Sequence, residues 1–95
     1  MLKVKFPHDL KKFENYDLGC SDWFLIDQKL INDFAKLSGD DQWIHVDFDR
    51  ALNEMPEGKT IAHGLLTLCI SPNLGKNKIH IENLKHTLNY GIDKV

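Results

Sequence analysis

From Thr60 onward the chain runs Thr60-Ile61-Ala62-His63-Gly64-Leu65-Leu66-Thr67-Leu68-Cys69-Ile70, apolar at most positions. Thr60 is expected to cap a helix from Ile61 to about Leu74, which Pro72 kinks or ends early. Wound at helical pitch, this segment is apolar around most of its circumference rather than along one stripe. Such a helix has to be central and wrapped, because each large apolar side chain left in water forfeits about 1.5–3 kcal/mol. It cannot cross a membrane instead, since Ile61 to Ile70 is too short and is interrupted by His63, Gly64 and Thr67. Cys69 lies within this run and is expected to be a small buried hydrophobe.

The covering elements are harder to find. Leu84, His86, Leu88, Tyr90 and Ile92 alternate with polar residues or glycine, the period of a half-buried strand. Trp23-Phe24-Leu25-Ile26 reads as a brief second strand. Asp9 to Glu14 suits a short helix. Asp27 is placed to cap a helix from Gln28 to Leu37, whose Leu30, Ile31, Phe34 and Leu37 share a face and whose stop is Gly39. Asp40 to Lys59 is polar and irregular, with one helical turn expected around Phe48 to Asn53. Val95 falls inside or just past the clearest strand, so the pattern reads as unfinished.

Ninety-five residues bound one domain, 1–95, near the lower size limit for a self-sufficient core. With 42% apolar and 27% charged residues the composition is that of a soluble globular protein. A net charge of −2 gives no electrostatic footprint for nucleic acid. The lysine pairs at 3 and 5, 11 and 12, and 76 and 78 read as solvated surface. The N-terminus is too poor in apolar residues for a signal peptide, and Cys20 and Cys69 suggest no disulfide framework. A cytoplasmic protein fits these features.

Chemistry concentrates in two clusters. Ser38-Gly39-Asp40-Asp41-Gln42-Trp43-Ile44-His45 delivers a carboxylate and an imidazole five residues apart in a loop that can aim both at one point. Adding water to a double bond conjugated with a thioester needs such an acid–base pair, and histidine, with an ordinary pKa of about 6.5, suits proton transfer near neutrality. In Thr60-Ile61-Ala62-His63-Gly64, the N–H groups of a first helical turn lack intrahelical acceptors and can meet a carbonyl oxygen that becomes negative. Glycine at 64 lets a thioester approach the backbone closely.

Three blocks in order resemble the MaoC family of hotdog hydratases: Ser38 to Asp47 with Arg50-Ala51, Ile61 to Leu68, and Asn89 to Val95. Leu18 to Trp23 adds a looser match, so the resemblance covers 18–95. It implies an α+β hotdog fold, a central helix wrapped by an antiparallel sheet, and a homodimer. The family's later strands have no counterpart here, so the chain is expected to be the N-terminal portion of that domain. The implied activity is (R)-specific hydration of a trans-2-enoyl thioester, or dehydration of the 3-hydroxyacyl thioester, with CoA or acyl carrier protein as carrier and no resident cofactor or metal. By position, Asp40 and His45 match the catalytic pair and Gly64 the backbone donor to the thioester carbonyl. His63 either lines the acyl site or holds the loop. Some members place a serine farther along the central helix; Pro72 falls there, with Ser71 beside it.

Other readings use the same residues. Asp40, His45, Asp47 and His63 are metal-ligand types, although nothing in their spacing fixes a ligand count. A thioesterase would share fold and substrate class but break the C–S bond. A non-catalytic interaction module would keep the site residues without the activity. Trp43 reads as a packing residue, and His8, His80 and His86 as surface or edge-strand residues.

Overall fold

In the computed structural model, which describes residues 1–95, helix α1 spans Gln28–Ser38. Its ends are set locally. The Asp27 carboxylate accepts from the Leu30 N–H at 2.9 Å, and Gly39 turns left-handed at φ 78° while its N–H bonds the Ala35 carbonyl. Lys29 and Asp33, one turn apart, pair at 3.0 Å, and that bond raises the Lys29 pKa above its ordinary value. The face that packs centres on buried Ile31 and Ala35 with half-buried Leu30 and Phe34; Leu37, expected with them, is 84% exposed.

The chain divides into two compact units, Ser21–Leu74 and the pair of segments Met1–Cys20 and Gly75–Val95. In the first, two short helices follow α1: α2 (Trp43–Val46) and α3 (Phe48–Glu54). Only the second was expected. The Asp47 carboxylate caps α3 by accepting from the Arg50 N–H at 3.0 Å, and the Asp47 N–H closes α2 on the Trp43 carbonyl at 2.9 Å. The Arg50 guanidinium lies 4.2 Å from the Trp43 ring centre, so Trp43 packs beneath a cation.

Helix α4 (Gly64–Gly75) begins three residues later than Thr60 capping predicts. The Thr60 hydroxyl donates to Gln28 Oε1 at 2.6 Å, and the Ile61 N–H donates to the Ile44 carbonyl at 3.0 Å. Residues 60 and 61 are thereby held against 44 and 45 and cannot join the helix. Pro72 does not end α4 either. Its missing N–H strands the Leu68 carbonyl, and the Ser71 hydroxyl supplies a substitute donor at 2.7 Å. Of the helix's side chains only Leu66 is buried; Leu65 is 65% exposed and Cys69 is also exposed, against the expectation of a wrapped helix with a buried thiol. Within this unit the buried set is Ile31, Ala35, Ala51 and Leu66 together with two histidines, His45 and His63.

The second unit carries the sheet: β1 (Leu2–Val4) pairs with β2 (Ile79–Ile81), Leu2 opposite Ile79 and Val4 opposite Ile81. A 3-10 helix at Pro7–Phe13 follows β1, started by the Asp9 carboxylate on the Phe6 N–H at 3.0 Å. The α+β class holds. The pairing is parallel where an antiparallel sheet was expected, as suits two strands joined by a long helical crossover rather than a hairpin. The strands expected at Trp23–Ile26 and Leu84–Ile92 do not form. Alternation specifies faces, but a strand also needs a neighbour for its N–H and C=O groups, and neither segment has one; Leu88 and Tyr90 stand exposed. His8, His80 and His86 lie at the surface, as expected.

Candidate active site

The left-handed turn at Gly39 ends α1 and delivers Asp40, whose N–H is held by Ser38 Oγ at 3.1 Å. Five residues on, α2 carries His45 inward. The two side chains converge, Asp40 Oδ2 standing 3.9 Å from His45 Nε2. That separation exceeds a hydrogen bond and leaves one proton-carrying atom room to bridge the pair. The Asp40 carboxylate is 42% exposed and the His45 ring 8%, so one partner faces solvent and the other is enclosed.

The far side of the His45 ring fixes its tautomer. His45 Nδ1 lies 2.7 Å from the Ile61 carbonyl oxygen. A carbonyl can only accept, so Nδ1 carries the hydrogen and the neutral ring presents its lone pair at Nε2, toward Asp40. His63, only 2% exposed, stacks on His45 with ring centres 3.8 Å apart and meets Phe34 edge-to-face at 4.9 Å. Its Nε2–H donates to the Asp40 carbonyl at 2.8 Å, while its Nδ1 is buried without a partner. Of the two roles open to His63, holding the loop is the one its contacts describe.

Gly64 follows His63 directly and opens α4, so chain continuity sets the helix start beside the stacked rings. The first intrahelical bond runs from the Thr67 N–H to the His63 carbonyl at 3.3 Å, which leaves the N–H groups of Gly64, Leu65 and Leu66 without intrahelical acceptors. A Cβ built on Gly64 meets nothing within 4 Å. Neither backbone angle nor packing therefore demands glycine here; open space does lie over it. An open groove of about 470 Å³, lined by Asn32, Ala35, Lys36, Gly39, Asp41 and Val46, includes none of Asp40, His45, His63 and Gly64. The convergence of chemistry, not the groove, marks the site.

Gln28 escaped the sequence reading. Its Nε2 donates to the His45 carbonyl at 2.8 Å and to Asn32 Oδ1 at 2.9 Å, and its Oε1 accepts from Thr60. In the sequence it is a polar residue at a helix start, and its partners lie 17 and 32 positions away. No local signal marks it.

Asp40, His45 and His63 also bring one potential ligand atom each within 4.8 Å of one another, while Asp47 of the same candidate set caps α3 instead. Ligand atoms around one first-row ion stand about 3 Å apart. The cluster would have to contract, and each histidine already has one ring nitrogen engaged by a carbonyl.

An imidazole with its lone pair turned toward a carboxylate can take and return a proton, and the helix start beside it offers unengaged N–H groups to an acceptor. Residues 12–95 match the MaoC like domain, and the chain belongs to that family. Over 87 residues it is 44% identical to the 3-hydroxyacyl-thioester dehydratase Z of Mycobacterium tuberculosis (strain CDC 1551 / Oshkosh), across 92% of this chain and 57% of that protein. It is 41% identical over 90 residues to the Nodulation protein N of Rhizobium meliloti (strain 1021), across 92% of this chain and 55% of the relative. The corresponding protein of Rhizobium leguminosarum bv. viciae is 44% identical over 82 residues, 83% and 50% of the two chains. The chain thus spans about half the length of the curated relatives it matches. No helix is long and apolar enough to cross a membrane.

Proposed function

We propose that the site adds water to a trans-2-enoyl thioester, or removes it from the (R)-3-hydroxyacyl thioester, in a hotdog domain that works as a cytoplasmic homodimer. The observation that carries this is the His45 ring, fixed by Ile61 with its basic nitrogen 3.9 Å from the Asp40 carboxylate. Water bridging the two is oriented by Asp40 and gives one proton to His45 Nε2 as its oxygen bonds to C3. The C2–C3 π pair moves toward the thioester, whose oxygen becomes negative and is met by the Gly64 N–H. The imidazolium then returns the proton to C2. One O–H bond and the C2–C3 π bond are broken, one C–O and one C–H bond are formed, and His45 ends as it began. The relative named as a 3-hydroxyacyl-thioester dehydratase supports this substrate class. Within the same site, His63 bounds the acyl-thioester pocket while it holds the Asp40 backbone.

Crotonyl-CoA tests the reading: loss of the conjugated-enoyl absorbance is followed beside a free-thiol assay. Hydration without thiol release is expected, and it persists after exhaustive chelation, since no step uses a metal. Thiol release would make the protein a thioesterase. Neither product would make it a non-catalytic module, and loss on chelation with recovery by one metal would give the three-residue cluster a different role.

A further inference from the structure

Gln28 joins three parts of the chain through one side-chain amide, which is half-buried. Its Nε2 faces two acceptors, the His45 carbonyl and Asn32 Oδ1, and its Oε1 faces the Thr60 hydroxyl. Reversing the amide would set oxygen against carbonyl oxygen, so the orientation is determined by its surroundings. A second set of bonds runs parallel to this one. The Ile61 N–H bonds the Ile44 carbonyl at 3.0 Å, and the Ile61 carbonyl accepts from His45 Nδ1 at 2.7 Å. Together they form a closed circuit: Gln28 ties residue 60 to residue 45, and Ile61 ties back to residues 44 and 45.

The circuit matters because its last bond decides which nitrogen of His45 is the base. Neither segment is a strand in a sheet, and α2 is a single turn, so no regular element sets the distance between the Ile61 carbonyl and the ring. The Ile61 N–H and the Gln28 amide are the hydrogen bonds that hold residues 60 and 61 to residues 44 and 45, while His63, two residues on, meets the same ring by stacking. Without the amide the 60–61 segment keeps the Ile61 N–H and the stacked ring but can pivot between them and carry its carbonyl off Nδ1. The ring can then take its hydrogen at Nε2 instead, which puts a donor where the reaction needs a base.

We infer that Gln28 is a positioning residue for the hydration site, one that sets the tautomer of His45 by bridging its backbone to Thr60. It rests on the proposed role of His45, and its test reads the tautomer apart from turnover. In the 95-residue chain labelled with ¹⁵N, imidazole nitrogen shifts report where the His45 hydrogen sits. The parent should show Nδ1–H. Gln28→Met keeps the side-chain length without the hydrogen bonds and should show a mixture. Its kcat for crotonyl-CoA hydration should fall about ten- to a hundredfold, the scale of small misplacements, with KM changed less than about threefold. Thr60→Val, which removes one bond of the circuit, should move both readouts the same way by less, and Thr60→Ser should restore what Thr60→Val loses. If Gln28→Met does not fold, the Thr60 pair carries the test. A folded Gln28→Met with Nδ1–H intact and parental kcat overturns the inference, as does a Thr60→Val variant indistinguishable from the parent. A shifted tautomer in a chain whose parent hydrates nothing leaves the positioning role standing and removes the hydratase reading.

Discussion

Helix α1 carries its own ends: Asp27 caps one, Gly39 turns the other, and Ile31 and Ala35 face inward along a single side. Helix α4 does neither. It has no side-chain cap, it is apolar on nearly every side, and it buries only Leu66. Both helices nevertheless end or begin at the site, α1 delivering Asp40 and α4 beginning at Gly64 beside the stacked histidines. The difference is one of roles. A helix closed by its own residues can hold the side chain that follows it at a fixed place. A helix start without a side-chain acceptor leaves its first N–H groups available to water or to a ligand.

The comparison breaks most visibly in catalysis. If the acid–base chemistry belongs to the α1 side, Asp40→Asn or His45→Gln should lower kcat by about two orders of magnitude or more with little change in fold, as measured by crotonyl-CoA hydration beside circular dichroism and a cooperative melt. Near-parental hydration by either folded variant would sink the dyad. Stability should divide the helices next. Ile31 is 6% exposed, and Ile31→Ala should cost about 2–4 kcal/mol in denaturant unfolding as a core truncation. Leu65→Ala, on a side chain that already faces water, should stay within about 0.5 kcal/mol. Equal costs would mean that α4 is covered in solution. Between these two falls the cost at the α1 stop, where Gly39→Ala forces a left-handed angle on alanine at about 1–2 kcal/mol and disturbs Asp40 beside it. Gly39→Asn, which tolerates that angle better, should recover part of both losses.

What could be foreseen follows the same division. Asp27, Gly39 and the Asp40–His45 spacing were legible because each acts on residues within one turn or one loop. The start of α4 was not, because the Thr60 hydroxyl that could cap it bonds Gln28, a partner 32 residues away. Passage through Pro72 turns on one hydroxyl, that of Ser71, being free to replace the missing donor. The alternation from Leu84 to Ile92 specified which side chains share a face but carried no information about a pairing partner. His63 was read as either pocket lining or loop support, and only the 2.8 Å bond to the Asp40 carbonyl shows which contact it makes. Gln28 has no such signal, since apart from Asn32 on its own helix its partners, His45 and Thr60, lie 17 and 32 positions away.

Gly64 and Gly39 give the finest version of the comparison, because the same substitution should act on them in opposite ways. Gly39 needs its left-handed angle, and alanine there is strained whatever the space around it. Gly64 has no positive φ, and a Cβ there meets nothing within 4 Å. Alanine at the first position of α4 should therefore leave the melt unchanged or raise stability by up to about 1 kcal/mol through a less mobile unfolded chain. The added methyl group would stand in the open space over the helix start, where the proposed mechanism brings the thioester oxygen to the Gly64 N–H. Gly64→Ala should accordingly lower kcat/KM for crotonyl-CoA by about tenfold, the worth of one weakened contact near 1.4 kcal/mol. A variant that is as stable as the parent and hydrates as fast would show that the space over Gly64 is not where the thioester binds, and the acceptor for those N–H groups would have to be sought elsewhere on α4. A variant that loses stability would show instead that Gly64, like Gly39, serves the fold.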